Sequence, residues 1–114
     1  MKLEEIVRQL ALKVHTAKGK LDIEVTGGYA CDLLSQVMAR AQAGNVWVTM
    51  QCHVNIVAVA SLLNLAGIII TGGGQPDAAT LEKAEQENVV ILTTPLTTYT
   101  VVGKLSALGV HGID

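Results

Sequence analysis

The chain has no phenylalanine, a single tryptophan (Trp47) and two tyrosines (Tyr29, Tyr99) among its 114 residues, so no aromatic cluster can anchor its interior. Half of the residues are nevertheless hydrophobic. The core must therefore be built from Val, Ile, Leu and Ala, which suits tightly packed strands and small-faced helices. Basic side chains are also few: 8 Lys and Arg against 10 Asp and Glu leave a formal net charge of −2, and the cations are scattered. Nucleic acid is not an expected partner, because counterion release needs clustered Lys and Arg. Long apolar runs are missing as well. The longest candidate, 54–63, includes Asn55 and Ser61 and falls well short of the roughly 18–20 residues of a membrane span, so no membrane partner is expected. The opening MKLEEIVRQL carries acids in an amphipathic pattern, unlike a signal peptide, which points to a cytoplasmic chain. The two cysteines, Cys31 and Cys52, lack metal-ligand spacing and read as free thiols. No Asp, Glu and His cluster has metal spacing either, and no metal or cofactor is expected.

What is present has a clear order. The length suits one domain with its own core, spanning 1–114, with an N-terminal helix inside 1–18 and a core over 20–110. Leu3, Ile6, Val7, Leu10, Ala11 and Val14 recur at helical spacing, and LDIEV (21–25) alternates as a strand with one wet face. A helix is expected over about 32–42, a buried strand at VWVTM (46–50), a helix at 55–67 and a strand at IIIT (68–71). Pro76 and Asp77 introduce a helix over roughly 78–88, with Ala78, Leu81, Ala84 and Glu85 on its core side. VVILTT (89–94) is the fourth strand, and Pro95 with Thr97 or Thr98 as cap starts a last helix that stops at Gly109. Strands alternating with helices through short turns give an α/β fold with a largely parallel sheet of about four strands.

Two features refine this order. The helix after MQCHV is apolar almost all round, so it is either wedged between layers or buried against a second subunit, and a homodimer is the expected assembly. The second feature is an echo: Thr26, Gly27, Gly28 and Asp32 recur as Thr71, Gly72, Gly73 and Asp77 at an offset of 45. Internal duplication explains it, and so does the recurrence of good strand-to-helix turn chemistry.

Chemistry concentrates in two stretches. In IIITGGGQPD (68–77), consecutive glycine amides before a helix N-terminus can form an anion site, or the glycines can simply supply a turn with positive φ. The nucleotide fingerprints are absent: the next lysine is Lys83, and Gln75-Pro76-Asp77 breaks the dinucleotide pattern. In TMQCHVN (49–55), Gln51, His53 and Asn55 would stand at the carboxyl end of a buried strand, where open α/β sheets bind ligands; His53 and Asn55 can equally cap the helix. Cys52 beside His53 lacks an orienting acid, and adjacent side chains point apart, so a catalytic pair is not supported. His15 and His111 lie in polar or terminal stretches and read as solvent-facing.

The segment VTGGYACDLLSQVMARAQAGNVWVTMQCHVNIVAVASLLNLAGIIITGGGQPD resembles the DRTGG domain, most closely its stand-alone versions that are related to the N-terminal domain of HPr kinase. The likeness spans about 20–110 and is strongest at SLLNLAGIIITGG and at Gln75-Pro76-Asp77. It departs at the Asp-Arg pair of the family name, which falls near Cys52 and His53. The resemblance implies a dimerising α/β module without catalysis of its own, of a kind found as a regulatory segment of phosphotransacetylases and CBS-containing pyrophosphatases. It also implies a role like that of adenine-nucleotide sensors acting on a partner enzyme. No kinase activity is carried over, because the phosphate loop of HPr kinase belongs to another domain. The expected ligand contacts are Thr26, Gly27, Gly28, Gln51, His53, Asn55, Thr71, Gly72, Gly73, Gly74 and Asp77. The alternative is a ligand-free interaction scaffold that docks through the apolar helix.

Overall fold

Two short stretches, NVWVT (45–49) and GIII (67–70), are buried at every position. A strand that is dry on both faces needs cover on both, and the rest of the chain supplies it. The computed structural model describes residues 1–114. Its elements are α1 (Leu3–Leu10), β1 (Lys13–Val14), a 3-10 turn at Lys18–Lys20, β2 (Gly27–Ala30), α2 (Leu34–Arg40), β3 (Asn45–Thr49), α3 (Asn55–Leu63), β4 (Gly67–Ile70), α4 (Ala78–Glu87), β5 (Ile91–Thr93) and α5 (Thr98–Ala107). The strands form one sheet in the order β1-β5-β4-β3-β2, parallel except for β1.

The pleat divides the core in two. Val46, Val48, Ile69 and Leu92 point to one face, where Leu3, Ile6 and Leu10 of α1 and Val101 and Leu105 of α5 cover them. Trp47, Ile68, Ile70 and Ile91 point to the other, beneath Val37, Ile56, Val57, Ala60 and Ala84 of α2, α3 and α4. The lone tryptophan is fully buried, with its indole N–H donating to the Cys31 carbonyl at 2.8 Å.

The alternating segment 21–25 is not a strand of this sheet. It runs past the start of α1, where the Ile23 and Leu21 carbonyls accept the Leu3 and Glu4 N–H groups at 2.9 and 2.8 Å. Its apolar residues face the first core because the segment caps a helix end whose donors would otherwise be unpaired. The sheet strand is instead the glycine-bearing GGYA (27–30), and β1 adds a fifth strand that the sequence pattern concealed. β1 is pinned to β5 by side chains: His15 Nε2 lies 2.7 Å from Thr93 Oγ1, and Thr16 Oγ1 bonds the Val89 carbonyl and the Ile91 N–H.

The echo does not extend to conformation. Gly27 and Gly28 are strand residues paired with Asn45 and Val46, whereas Gly72 and Gly73 form a turn at φ +71° and +76°. Strand β4 likewise maps at that offset onto 22–25, which lies outside the sheet.

The apolar helix is covered within its own chain, inside one helical layer. α3 lies between α2 and α4 over the sheet, and Ile56, Val57, Val59 and Ala60 are buried. Of its large side chains only Leu62 remains in water, at 70% exposure. On α4 the buried positions are Thr80 and Ala84, with Leu81 half-buried; Ala78 and Glu85 are exposed. In urea unfolding, Ile56→Ala should cost about 2–5 kcal/mol through the cavity it leaves. Leu62→Lys should stay within about 0.5 kcal/mol and leave the oligomeric state unchanged, as a surface position does.

Candidate functional site

Because β2 to β5 are parallel, their carboxyl ends share one end of the sheet, the usual ligand-binding end of an open α/β fold. Asp32, just beyond β2, organises that end. Its Oδ1 accepts from Thr49 Oγ1 at 2.8 Å and from the Met50 N–H at 2.7 Å, and its carbonyl accepts from Gln51 Nε2 at 2.9 Å. One aspartate thus joins the ends of β2 and β3 and fixes the Gln51 side chain.

His53 and Asn55 follow at the start of α3. Both are exposed, and His53 Nδ1 accepts the Asn55 N–H at 3.3 Å, a helix-capping contact. Beneath them the Cys52 carbonyl accepts from Thr80 Oγ1 at 2.7 Å and from the Asp77 N–H at 3.2 Å, tying the β3–α3 link to the start of α4. Asp77 occupies the N-cap of α4 without a side-chain capping bond, so its carboxylate is free. Burial, and secondly the nearby Asp77 charge, push the Cys52 thiol above its ordinary pKa.

The glycine turn closes this end. Thr71 is buried, its N–H donates to the Thr49 carbonyl at 3.0 Å, and its hydroxyl lies 2.7 Å from Thr98 Oγ1 at the start of α5. The three glycine amides are all committed: Gly72 N–H to Leu96 O at 2.7 Å, Gly73 N–H to Thr94 O at 3.0 Å, and Gly74 N–H to Thr71 O at 3.3 Å. The first two fasten the end of β4 to the loop that leads into α5, and the third closes the turn on itself. Gly74 packs closely on its neighbours: a Cβ there would lie 3.0 Å from Cys52 Sγ and Ile70 Cγ2, so a larger residue would have to push those side chains aside. In this conformation the turn is not an anion cradle, and segments 31–33, 49–55, 71–77 and 94–99 contain no Lys or Arg.

Thr26 and Gly27 stand at the other end of the sheet. The register pairs Gly27 with Asn45, the first residue of β3, which puts both residues at the opposite end of the strands from the glycine turn. Thr26 is structural. Its hydroxyl donates to the Ala43 carbonyl at 2.8 Å, accepts from Asn45 Nδ2 at 3.1 Å, and packs on Gly44. Gly28 belongs elsewhere again. It lines a cavity of about 230 Å³ between β2 and α5, together with Ala30, Val48, Val102, Ser106 and His111. Sequence reasoning missed that cavity and the organising role of Asp32. It also missed the exposed apolar residues Leu33, Met50 and Tyr99, which surround the carboxyl end of the sheet. Only Asp32 carried a signal, through the repeated spacing of the echo rather than as a site residue.

Comparison with known proteins now decides the family. The DRTGG domain model matches residues 5–108. The chain belongs to the DRTGG domain family. A solved relative in fold is the CBS and DRTGG domains of the regulatory region of Clostridium perfringens pyrophosphatase, complexed with its activator, diadenosine tetraphosphate. It superposes with a TM-score of 0.76 at 18% identity, over 99% of this chain and 51% of that one, so this DRTGG domain spans about half of the relative's length. No curated protein sequence matches. Where the resemblance places the family's Asp-Arg pair, this DRTGG domain offers a half-buried thiol and a capping imidazole. Replacing Asp77 by Asn should therefore speed iodoacetamide alkylation of Cys52 severalfold at pH 8, because removing the neighbouring charge lowers the thiol pKa. Peptide mass spectrometry over time reads the rate, and an unchanged rate would contradict the proximity of the two groups.

Proposed function

We propose that this DRTGG domain is a non-catalytic regulatory module that responds to an adenine nucleotide and acts, as a homodimer, on a partner enzyme. The family supplies the regulatory class. The activator of the pyrophosphatase region, a dinucleotide of adenosine, supplies the ligand class. The observation that shapes the reading is the state of the glycine turn: its amides are spent on backbone carbonyls, and the loops at this end of the sheet carry no Lys or Arg. Phosphate is therefore a poor handle for this chain alone, and recognition must rest on the uncharged nucleoside. A nucleoside asks instead for apolar surface beside neutral donors and acceptors. Response to the ligand follows by population shift, the nucleotide favouring one of two dimer packings.

A second reading is favoured by the exposure of Leu33 (59%), Met50 (59%) and Tyr99 (90%) at one end of the sheet: the domain is a pure docking scaffold, and that end is its contact surface. Calorimetry with adenosine, AMP and inorganic tripolyphosphate, alongside light scattering for mass, separates the readings. The sensor reading expects adenosine and AMP to bind within about threefold of each other and tripolyphosphate not to bind. The scaffold reading expects a dimer that binds none of the three. Tripolyphosphate binding would overturn the nucleoside account.

A further inference from the structure

Strand β2 is the open edge of the sheet, and its two residues facing α5 are the smallest available, Gly28 and Ala30. Opposite them stand Val102, Leu105 and Ser106 of α5, which cannot close the distance, and the tail residues Val110 to Gly112 roof the remaining gap. The cavity of about 230 Å³ is thus a product of missing side chains on an edge strand. Its walls are mostly apolar, with Ser106 and His111 as polar side chains.

The edge backbone adds the decisive chemistry. The Gly28 N–H points outward and donates to the His111 carbonyl at 2.8 Å, while the Cys31 N–H points inward to Val48 O at 3.1 Å. Strand alternation therefore turns the N–H and C=O of Ala30 outward, past the last tail contact, where no partner meets them. One residue thus presents a donor and an acceptor side by side at the mouth of an apolar slot. That pair complements a planar heterocycle with an adjacent acceptor and amino donor, as the N7 and N6 positions of adenine provide.

The structure assigns the mouth of this cavity as the purine pocket of the domain: the ring lies at the β2 edge where the slot opens, in the plane that lets it pair with the Ala30 backbone, and the sugar and phosphates project past Ser106 and His111 into solvent. The volume is below the roughly 300–1,000 Å³ of pockets that hold whole drug-sized ligands, which matches entry of the base alone. This assignment rests on the adenine-nucleotide reading above and moves its site away from the glycine turn.

Adenosine titrated into the full chain and into the variants Ala30→Leu and His53→Ala tests it by calorimetry. Ala30→Leu fills the slot from an exposed strand position and should weaken adenosine at least tenfold; His53→Ala should stay within twofold. If Ala30→Leu fails to fold by circular dichroism, Val102→Phe at the mouth of the slot replaces it, with the same expectation. Retained binding in the slot variant with loss in His53→Ala would overturn the pocket and leave the regulatory reading standing. Absence of adenosine binding to the unmodified chain would overturn both.

Discussion

The three isoleucines of β4 and the Val-Trp-Val of β3 are essentially excluded from water on both faces, and that constraint organises everything around them. With no phenylalanine to spread over a wide core, the sheet is thin-walled and must be covered closely. Two helices seal one face and three seal the other, so polar function is left only the strand ends and the open edge. Both are occupied in characteristic ways: the carboxyl end by hydrogen-bonded side chains such as Asp32 and Thr71, the open edge by two small residues and the returning tail.

The glycine turn illustrates how a ligand-like motif can be consumed by the fold. Positive φ at Gly72 and Gly73 lets the chain fold back so that its amides reach the Leu96 and Thr94 carbonyls. Thr71, bridging the Thr49 carbonyl and the Thr98 hydroxyl, completes a clamp that joins β3, β4 and the start of α5. A triplet of glycines here is explained by backbone geometry and by the contact of Gly74 with Cys52, with no phosphate required. With its amides committed to backbone carbonyls, the turn holds the scaffold together and offers no free donors of its own in this conformation.

Much of the architecture was legible because periodicity reports burial directly. The buried strands VWV and III and the Thr97 cap of α5, whose hydroxyl accepts the Thr100 N–H, stood where the sequence pointed. What misled was alternation without a sheet. Leu21, Ile23 and Val25 alternate because they pack on the first core while capping α1, and the true strand was hidden by its glycines. The all-round apolar α3 indicated burial correctly, but local pattern could not say that α2 and α4 provide it. The candidate site was legible only in part. Gln51, His53, Asn55, Thr71 to Gly74 and Asp77 do collect at one end of the sheet, while Thr26 and Gly27 sit at the other, a separation set by strand register.

The amides of the glycine turn are structural, and the functional reading depends on that. Amide hydrogen exchange followed by NMR on the free domain measures it directly, since hydrogen-bonded amides exchange only when the structure opens. Gly72 and Gly73 should be protected by about a hundredfold or more relative to an unstructured chain, and unmoved by inorganic phosphate. Exchange of these two amides at the unprotected rate, or their chemical shifts moving on addition of phosphate, would contradict it.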